Sequence, residues 1–383
     1  MFKRTPLAWL QLRREKTRLA VALAGIAFAD LLMFMQLGFL GALFTSNTAL
    51  HRSFEADLVI AHAQYETLFS IQSIPRDRIY QALFVPEVAA VSAVSLSTAS
   101  WRNPEALTGR TILVFGVSPA RPGFRASVLP EAEALKLPER VLFDRASRPE
   151  YGPIAARFAA GQPVRTELNR TRVEVAGLVG IGPSFVADGN VITSETTFLR
   201  IFNDRSPEKI ELGLLRLVPG ADPLAVQSQL AARLPEDVQV LTPERFAGRE
   251  ADYWANSTGI GFIFGLGVAV GFIVGVVIVY QILYADVADH LAEYATLKAM
   301  GYPDAYLWGV LLQESLILSV LGFIPGIIVT LALYALAYEA TLLPITMPSE
   351  RLALVFGLTV LMCAGSALIA SRKLSSADPA DIF

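Results

Sequence analysis

Four stretches of this sequence are each long and apolar enough to cross a lipid bilayer, and nothing else in the chain restricts its fold as strongly. A bilayer core of about 30 Å takes about 20 apolar residues of helix. The first stretch runs from about Leu19 to Phe44, interrupted only by Asp30, and the second lies within an uncharged run from Tyr253 to Ala285. The third spans roughly Ala305 to Tyr338 and includes Glu314 and Pro325; the fourth runs from Leu352 to Ser371 without a charge. Asp30 does not disqualify the first. A mid-membrane acid costs about 2.5–3.5 kcal/mol, whereas the twelve Leu, Ile, Phe and Val residues between Ala20 and Phe44 contribute about −4 to −7 kcal/mol. Its carboxyl is expected to face another helix or a water-filled seam; the alternative is a place on a substrate or proton path. Glu314 in the third stretch is the other intramembrane polar candidate. The first stretch also exceeds a cleavable signal, whose apolar core has about 7–15 residues, so a retained helix is expected.

Charge is concentrated between the first and second stretches. Residues 46–257 hold 22 basic and 24 acidic side chains. That density, about 22 %, is near the usual share of a soluble domain, and the rest of the chain has about half as much. The whole-chain figures of 17 % charged and 53 % apolar therefore describe neither part. A net charge of −3 offers no basic surface for nucleic acid. One cysteine, Cys363, excludes a disulfide within the chain, and His51, His62 and His290 are too scattered for a metal cluster.

The same charges orient the chain. Lys3, Arg4, Arg13, Arg14, Lys16 and Arg18 precede the first stretch with a single acid, Glu15, and Arg372-Lys373 follow the fourth. By the positive-inside rule both ends are cytoplasmic, as an even number of spans requires. The expected fold is an α-helical integral membrane protein with four transmembrane helices and a large α+β outer domain inserted between helices 1 and 2. Its parts are an interfacial segment (1–18), helix 1 (19–45), the outer domain (46–256), helix 2 (257–284), an inner loop (285–304), helix 3 (305–338), a short outer loop (339–350), helix 4 (351–371) and a tail (372–383). In the first part Leu7, Trp9, Leu10 and Leu12 beside Arg13-Arg14 suit a short helix lying on the inner interface.

Inside the outer domain, Val164 to Val179 reads as a hairpin turning near Asn169-Arg170, and Leu212 to Val218 as a strand. Pro219-Gly220 makes a turn, and Asp222 caps a helix whose first position is Pro223 and which ends near Leu234; Val238 to Leu241 follows as a strand. No G-x-S-x-G, H-E-x-x-H or C-x-x-C occurs, so binding or docking is expected rather than catalysis. Helix 2 carries Gly267, Gly271 and Gly275 at spacing four, and helix 3 repeats it with Gly322 and Gly326 beside Pro325, which is expected to kink it. Small residues in such register let backbones pack closely in lipid. With no G-x-x-x-x-G-K-[ST], the chain has no P-loop for ATP phosphates. The inner loop, Asp286 to Asp304, reads as one amphipathic helix ended by Gly301 and Pro303. Leu291, Tyr294, Ala295 and Leu297-Lys298 would put its apolar groups on one side, either against the membrane surface or into the groove of a soluble partner.

With one helix, a large outer domain and three helices, the chain resembles the MacB/FtsX-like permeases of type VII ABC exporters. Glu293-Tyr-Ala-Thr-Leu-Lys-Ala-Met-Gly301 is similar to that family's coupling segment, R-E-x-G-x-L-R-A-x-G, with Tyr294 and Thr296 departing from it. Gln313-Glu314 followed by Gly322 and Gly326 resembles the third-span pattern, and Asp378-Pro-Ala-Asp-Ile the closing D-P-x-x-x-L. YQILYADVADHLAEYATLKAMGY (280–302), SRPEYGP (147–153), ADGNVITSETTFLRIF (187–202) and RKLSSADPADIF (372–383) look like the cyanobacterial DevC permeases. The resemblance implies a non-catalytic homodimeric permease of the inner membrane, its large domain in the periplasm. It implies two copies of a separate DevA-like ATPase, which bind ATP and Mg²⁺, the permease itself holding no cofactor. It also implies a DevB-like, HlyD-type membrane-fusion protein and a TolC-like outer-membrane duct. ATP-driven motion would enter at the coupling segment, with Leu291, Glu293, Tyr294, Ala295, Thr296, Leu297, Lys298, Met300 and Gly301 as its contacts, and drive export of a cargo such as a glycolipid. An FtsX-like regulator of a periplasmic enzyme is the alternative within the same resemblance.

Overall fold

The computed structural model describes residues 16–184 and 187–375, so the expected interfacial helix around Trp9 and the closing Asp378–Ile382 segment lie outside the described residues. The chain divides into two compact units: one made of the residues before Leu43 and after Thr258, the other of Leu43–Thr258.

Helix α1 (Lys16–Ser53) carries the first apolar stretch, but it does not stop where that stretch does. The sequence ends helix 1 at residue 45, where the polar run Thr45-Ser-Asn-Thr begins. Helix continues for two further turns because Ser46, Asn47 and Thr48 are buried in the second unit. The Ser46 hydroxyl donates to the Pro183 carbonyl, and Thr48 and Ser53 donate to the carbonyls of Phe44 and Ala49 one turn back. Leu50 and, just past the helix, Phe54 join that unit's core.

The second unit is built on β1 (Leu58–His62), β2 (Ile74–Pro75), α2 (Asp77–Ala82), β3 (Val88–Arg102), β4 (Gly109–Val117), β5 (Arg140–Asp144), α3 (Ile154–Ala159), β6 (Arg165–Leu168), β7 (Thr171–Val179), β8 (Asn190–Ser194), α4 (Glu195–Ile201), β9 (Lys209–Ile210), β10 (Leu212–Leu217), α5 (Pro223–Arg233), β11 (Val238–Leu241) and α6 (Pro243–Asp252). Among the described residues the main sheet runs β11-β1-β10-β3-β4-β8-β5-β7-β6. Only the β4–β8 and β5–β7 pairs are parallel. A further pairing of Trp101 with Leu168 brings β6 back onto β3, so six of the nine strands close into a ring. Its packing is dominated by Trp101, Val114, Phe143, Tyr151 and Val191. Beyond the ring, α2 and α5 cover β1 and β10 through Ile79, Ala82, Val226 and Leu230. The expected hairpin is β6–β7, with Asn169 and Arg170 at φ +46° and +68°. Two successive positive φ values mark a turn whose twist suits the flanking strands. Asp222 caps α5 by accepting from the Leu224 amide, as its position before Pro223 leads one to expect.

After a π-helical turn (Tyr253–Ser257), the chain enters α7 (Gly259–Asp289), α8 (Leu291–Ala299), α9 (Asp304–Thr341) and α10 (Ser349–Ser375). Helices α1, α7, α9 and α10 are long and apolar enough to cross a membrane. They are apolar on nearly every side. Ile26, Ala29, Val279, Leu318, Met362 and Cys363 pack together inside, whereas Phe262, Ile273, Ile328, Leu361 and Leu368 point outward and exposed. Helices of that kind belong in lipid. Pro325 lies inside α9, which continues as helix on both sides of it.

Candidate functional site

Two places gather the residues singled out in the sequence: the α8 segment and the seam along α1. The expected single inner-loop helix is divided. Asp286–Asp289 form the last turn of α7, the chain breaks at His290 (φ −98°, ψ 14°), and α8 is a separate nine-residue helix. Arg18 of α1 fixes that break by pairing with Asp286 (3.4 Å) and Asp289, and His290 Nδ1 lies 3.0 Å from the Asp286 carbonyl. The far end of α8 is set by Gly301 at φ +92°, which lets its amide reach the Lys298 carbonyl while the Tyr302 amide reaches that of Leu297. Such paired bonds close helices at a left-handed residue, which glycine adopts without strain. Lys298 Nζ then bonds Asp304 at the start of α9 (3.0 Å).

Helix α8 has an inward and an outward face. Tyr294 and Ala295 are fully buried, and Tyr294, with Leu297 alongside, packs on Val287, Leu307 and Leu311 of the same chain. Burying about 150 Å² or more of aromatic surface stabilises the packing of α8 on its own chain. Leu291 and Lys298 are half-buried. The face left outward consists of Ala292, Glu293, Thr296 and Ala299, continued by Met300 (63 % exposed), Gly301 and Tyr302. Of the nine coupling candidates, Glu293, Thr296, Met300 and Gly301 are therefore presented and Tyr294 and Ala295 are not.

The glycines face α1. A methyl group added at Gly271 would meet Leu32 and Met33 at 3.2 and 3.3 Å; one at Gly267 would strike Gln36, and one at Gly275 Ala29 and Met362. Gly322 lies on Ile26 in the same way, and Gly326 on Ala27 and Asp30. Helix α1 thus runs in a seam lined by glycines of α7 and α9. Asp30 sits within it, fully buried, where its Oδ1 accepts the Thr359 hydroxyl of α10 at 2.5 Å. That hydroxyl is also 2.8 Å from the Val355 carbonyl. Glu314 is buried on α9. The Asp30 carboxyl thus faces α10.

A polar cluster in the second unit was not anticipated. Glu250 of α6 is 2 % exposed and accepts from Trp254 Nε1 (2.7 Å), Thr67 Oγ1 (2.8 Å), the Leu68 amide (2.8 Å) and Tyr65 (3.4 Å). His51 Nε2 lies 2.9 Å from the Tyr65 hydroxyl and 3.5 Å from Glu250. Burial raises the Glu250 pKa, but hydrogen bonds from His51, Leu68 and Trp254 outweigh it and hold the carboxyl below its ordinary value. Burial, reinforced by Glu250, pushes the Tyr65 phenol well above its own. Only the Glu250–Trp254 spacing of four was visible locally. Among the described residues no three His, Cys, Asp or Glu side chains gather as metal ligands do.

Residues 260–379 match a family model described as FtsX-like permease C-terminal. No curated protein sequence matches the chain. Among solved structures, the chain is similar to the periplasmic region of MacB from Actinobacillus actinomycetemcomitans, with 12 % identity and a TM-score of 0.35 over 50 % of this chain and 92 % of that one. It is also similar to the extracellular domain of the noncanonic ABC-type transporter YknZ from Gram-positive bacteria, at 13 % identity and TM-score 0.33 over 48 % and 99 %. A domain of a putative permease from Porphyromonas gingivalis gives 15 % and 0.30 over 50 % and 92 %.

Proposed function

We propose that this chain, whose residues 260–379 match the family model described as FtsX-like permease C-terminal, is the non-catalytic transmembrane subunit of an ABC transporter, driven by ATP and Mg²⁺ bound on a separate ATPase chain. The observation that carries the reading is α8, a short helix clamped between two membrane-length helices with one edge left outward. A helix held by Arg18 at one end and by Lys298–Asp304 at the other transmits a push to α7 and α9 instead of yielding to it. The basic residues preceding the first apolar stretch and Arg372-Lys373 following the fourth favour a cytoplasmic α8 and a periplasmic second unit in an inner membrane. The finer reading follows the long strings that resemble DevC-like permeases: a homodimer, a DevA-like ATPase, a DevB-like fusion protein, a TolC-like duct, and mechanical export of a cargo such as a glycolipid. The FtsX-like match supports a second reading, in which the same motion regulates a periplasmic enzyme and no fusion protein is needed.

Affinity purification of the tagged full chain in mild detergent tests this. An ATPase subunit is expected to accompany it, with a fusion protein under the export reading alone. Absence of the ATPase while a control complex survives overturns the proposal. Met300→Glu, on the outward edge, is expected to abolish ATPase recovery and leave the melting temperature unchanged. Tyr294→Ala, on the inward face, is expected instead to destabilise the chain by about 3 kcal/mol.

A further inference from the structure

The Glu250 cluster joins three separate pieces of chain within the second unit, and what it holds at the surface is aromatic. Thr67 and the Leu68 amide bond to its carboxylate, which fixes the short 3₁₀ turn Leu68–Ser70. Trp254 bonds the same carboxylate from the π-helical turn that leads into α7. Leu68 is turned inward, whereas Phe69 beside it is 63 % exposed. Phe69 stands edge-on to Trp254, centroids 6.5 Å apart, and Trp254 edge-on to Tyr253 at 5.4 Å. A phenyl ring left outward on a rigid turn gains nothing in water, and a buried charge is a costly device for holding it there.

The position of these rings along the chain supplies the reason. Trp254 is followed within five residues by Gly259, the first residue of α7, an apolar helix of membrane-spanning length. At about 1.5 Å per helical residue the indole lies less than 10 Å before that span. Bilayer interfaces are where Trp and Tyr rings collect, their apolar bodies among the acyl ends and their polar edges toward water. We infer that Phe69, Tyr253 and Trp254 form an anchor that seats the Leu68–Ser70 turn in the outer lipid interface, and that Glu250 is the residue positioning it. The turn belongs to the folded domain rather than to the span. Its partner is a lipid surface.

The inference rests on α7 crossing a bilayer and not on what is transported. Its test uses full-length protein in a Cys363→Ala background, reconstituted into phosphatidylcholine nanodiscs, with a nitroxide label at Phe69→Cys or, leaving the ring in place, at Ser70→Cys. Labels in lipid collide more with oxygen than with a water-soluble nickel chelate, and the ratio reverses in water. Both labels are expected on the lipid side of that ratio, and Glu250→Gln is expected to shift them toward the aqueous side. A label at Ile273→Cys on α7 reports the span. If Ile273 reads lipid while residues 69 and 70 read water, the anchor is overturned and the span stands. If 69 and 70 are shielded from both reagents, a second copy of the chain covers them, which also overturns it. If Ile273 itself reads water, anchor and span fall together.

Discussion

Single side chains here do work that their residue types alone do not announce. Glu250 is one of 35 acidic residues, yet it alone ties Trp254 to Thr67 and Leu68 across more than 180 positions of sequence. Glu250→Ala leaves several buried donors without an acceptor, and we expect it to cost about 3 kcal/mol, read as a lowered melting temperature of the detergent-solubilised chain. Because its folded pKa lies below the ordinary 4.5, the stability it contributes is present above that pH and lost as pH falls through the folded value. Asp237, held low by the Arg78 hydrogen bond, acts in the same direction; Glu211, raised by burial, opposes both. Acid melting curves are therefore expected to fall below about pH 4.5 in the wild type and to flatten in Glu250→Gln. Asp30 is a milder case. Its contact is one hydroxyl that already has the Val355 carbonyl, so Asp30→Asn is expected to fold with a loss of no more than about 1 kcal/mol. If transport by the assembled complex is then abolished with stability intact, the carboxyl has a path role and is not only a helix contact.

The glycine spacing of α7 and α9 translates into a groove for α1, and the groove makes a sharp distinction among glycines of one helix. Gly271 and Gly275 lie against α1, while Gly265 opens onto nothing within 4 Å. Gly275→Leu is expected to prevent folding in the membrane, seen as protease sensitivity and lost yield, whereas Gly265→Leu is expected to behave as wild type. Equal effects would mean that the seam is not a packing contact. The α8 segment shows the limit of periodicity. Its pattern announced an amphipathic helix, and a helix formed, but periodicity marks which residues share a face and not where that face points. Val287, Leu307 and Leu311 lie in the neighbouring helices and settled that Tyr294 turns inward.

For the molecule as a whole, orientation is the largest remaining expectation, and it is testable without knowing the cargo. Cysteines introduced at Leu107 (61 % exposed) and Met300 (63 % exposed) lie in different units, and the native Cys363 is buried. An impermeant maleimide is expected to label Leu107→Cys from outside the inner membrane and Met300→Cys only after permeabilisation. Labelling of both from one side would contradict the assignment from Lys and Arg. Four helices long and apolar enough to cross a membrane, the enclosed α+β unit, its β6–β7 hairpin and the Asp222 cap were all legible in the sequence. Each depends on local chemistry: runs of apolar side chains, alternation, turn residues and a cap one position from Pro223. What local chemistry could not show was the ring closed through Trp101 and Leu168, the two extra turns of α1, the inward face of α8 and the Glu250 cluster. These depend on partners far apart along the chain. A polar residue such as His51 or Ser46 reads as the end of a membrane helix until a folded domain buries it and supplies its hydrogen bonds. The apolar runs marked which segments must leave water; only the packed chain set which neighbours they would meet.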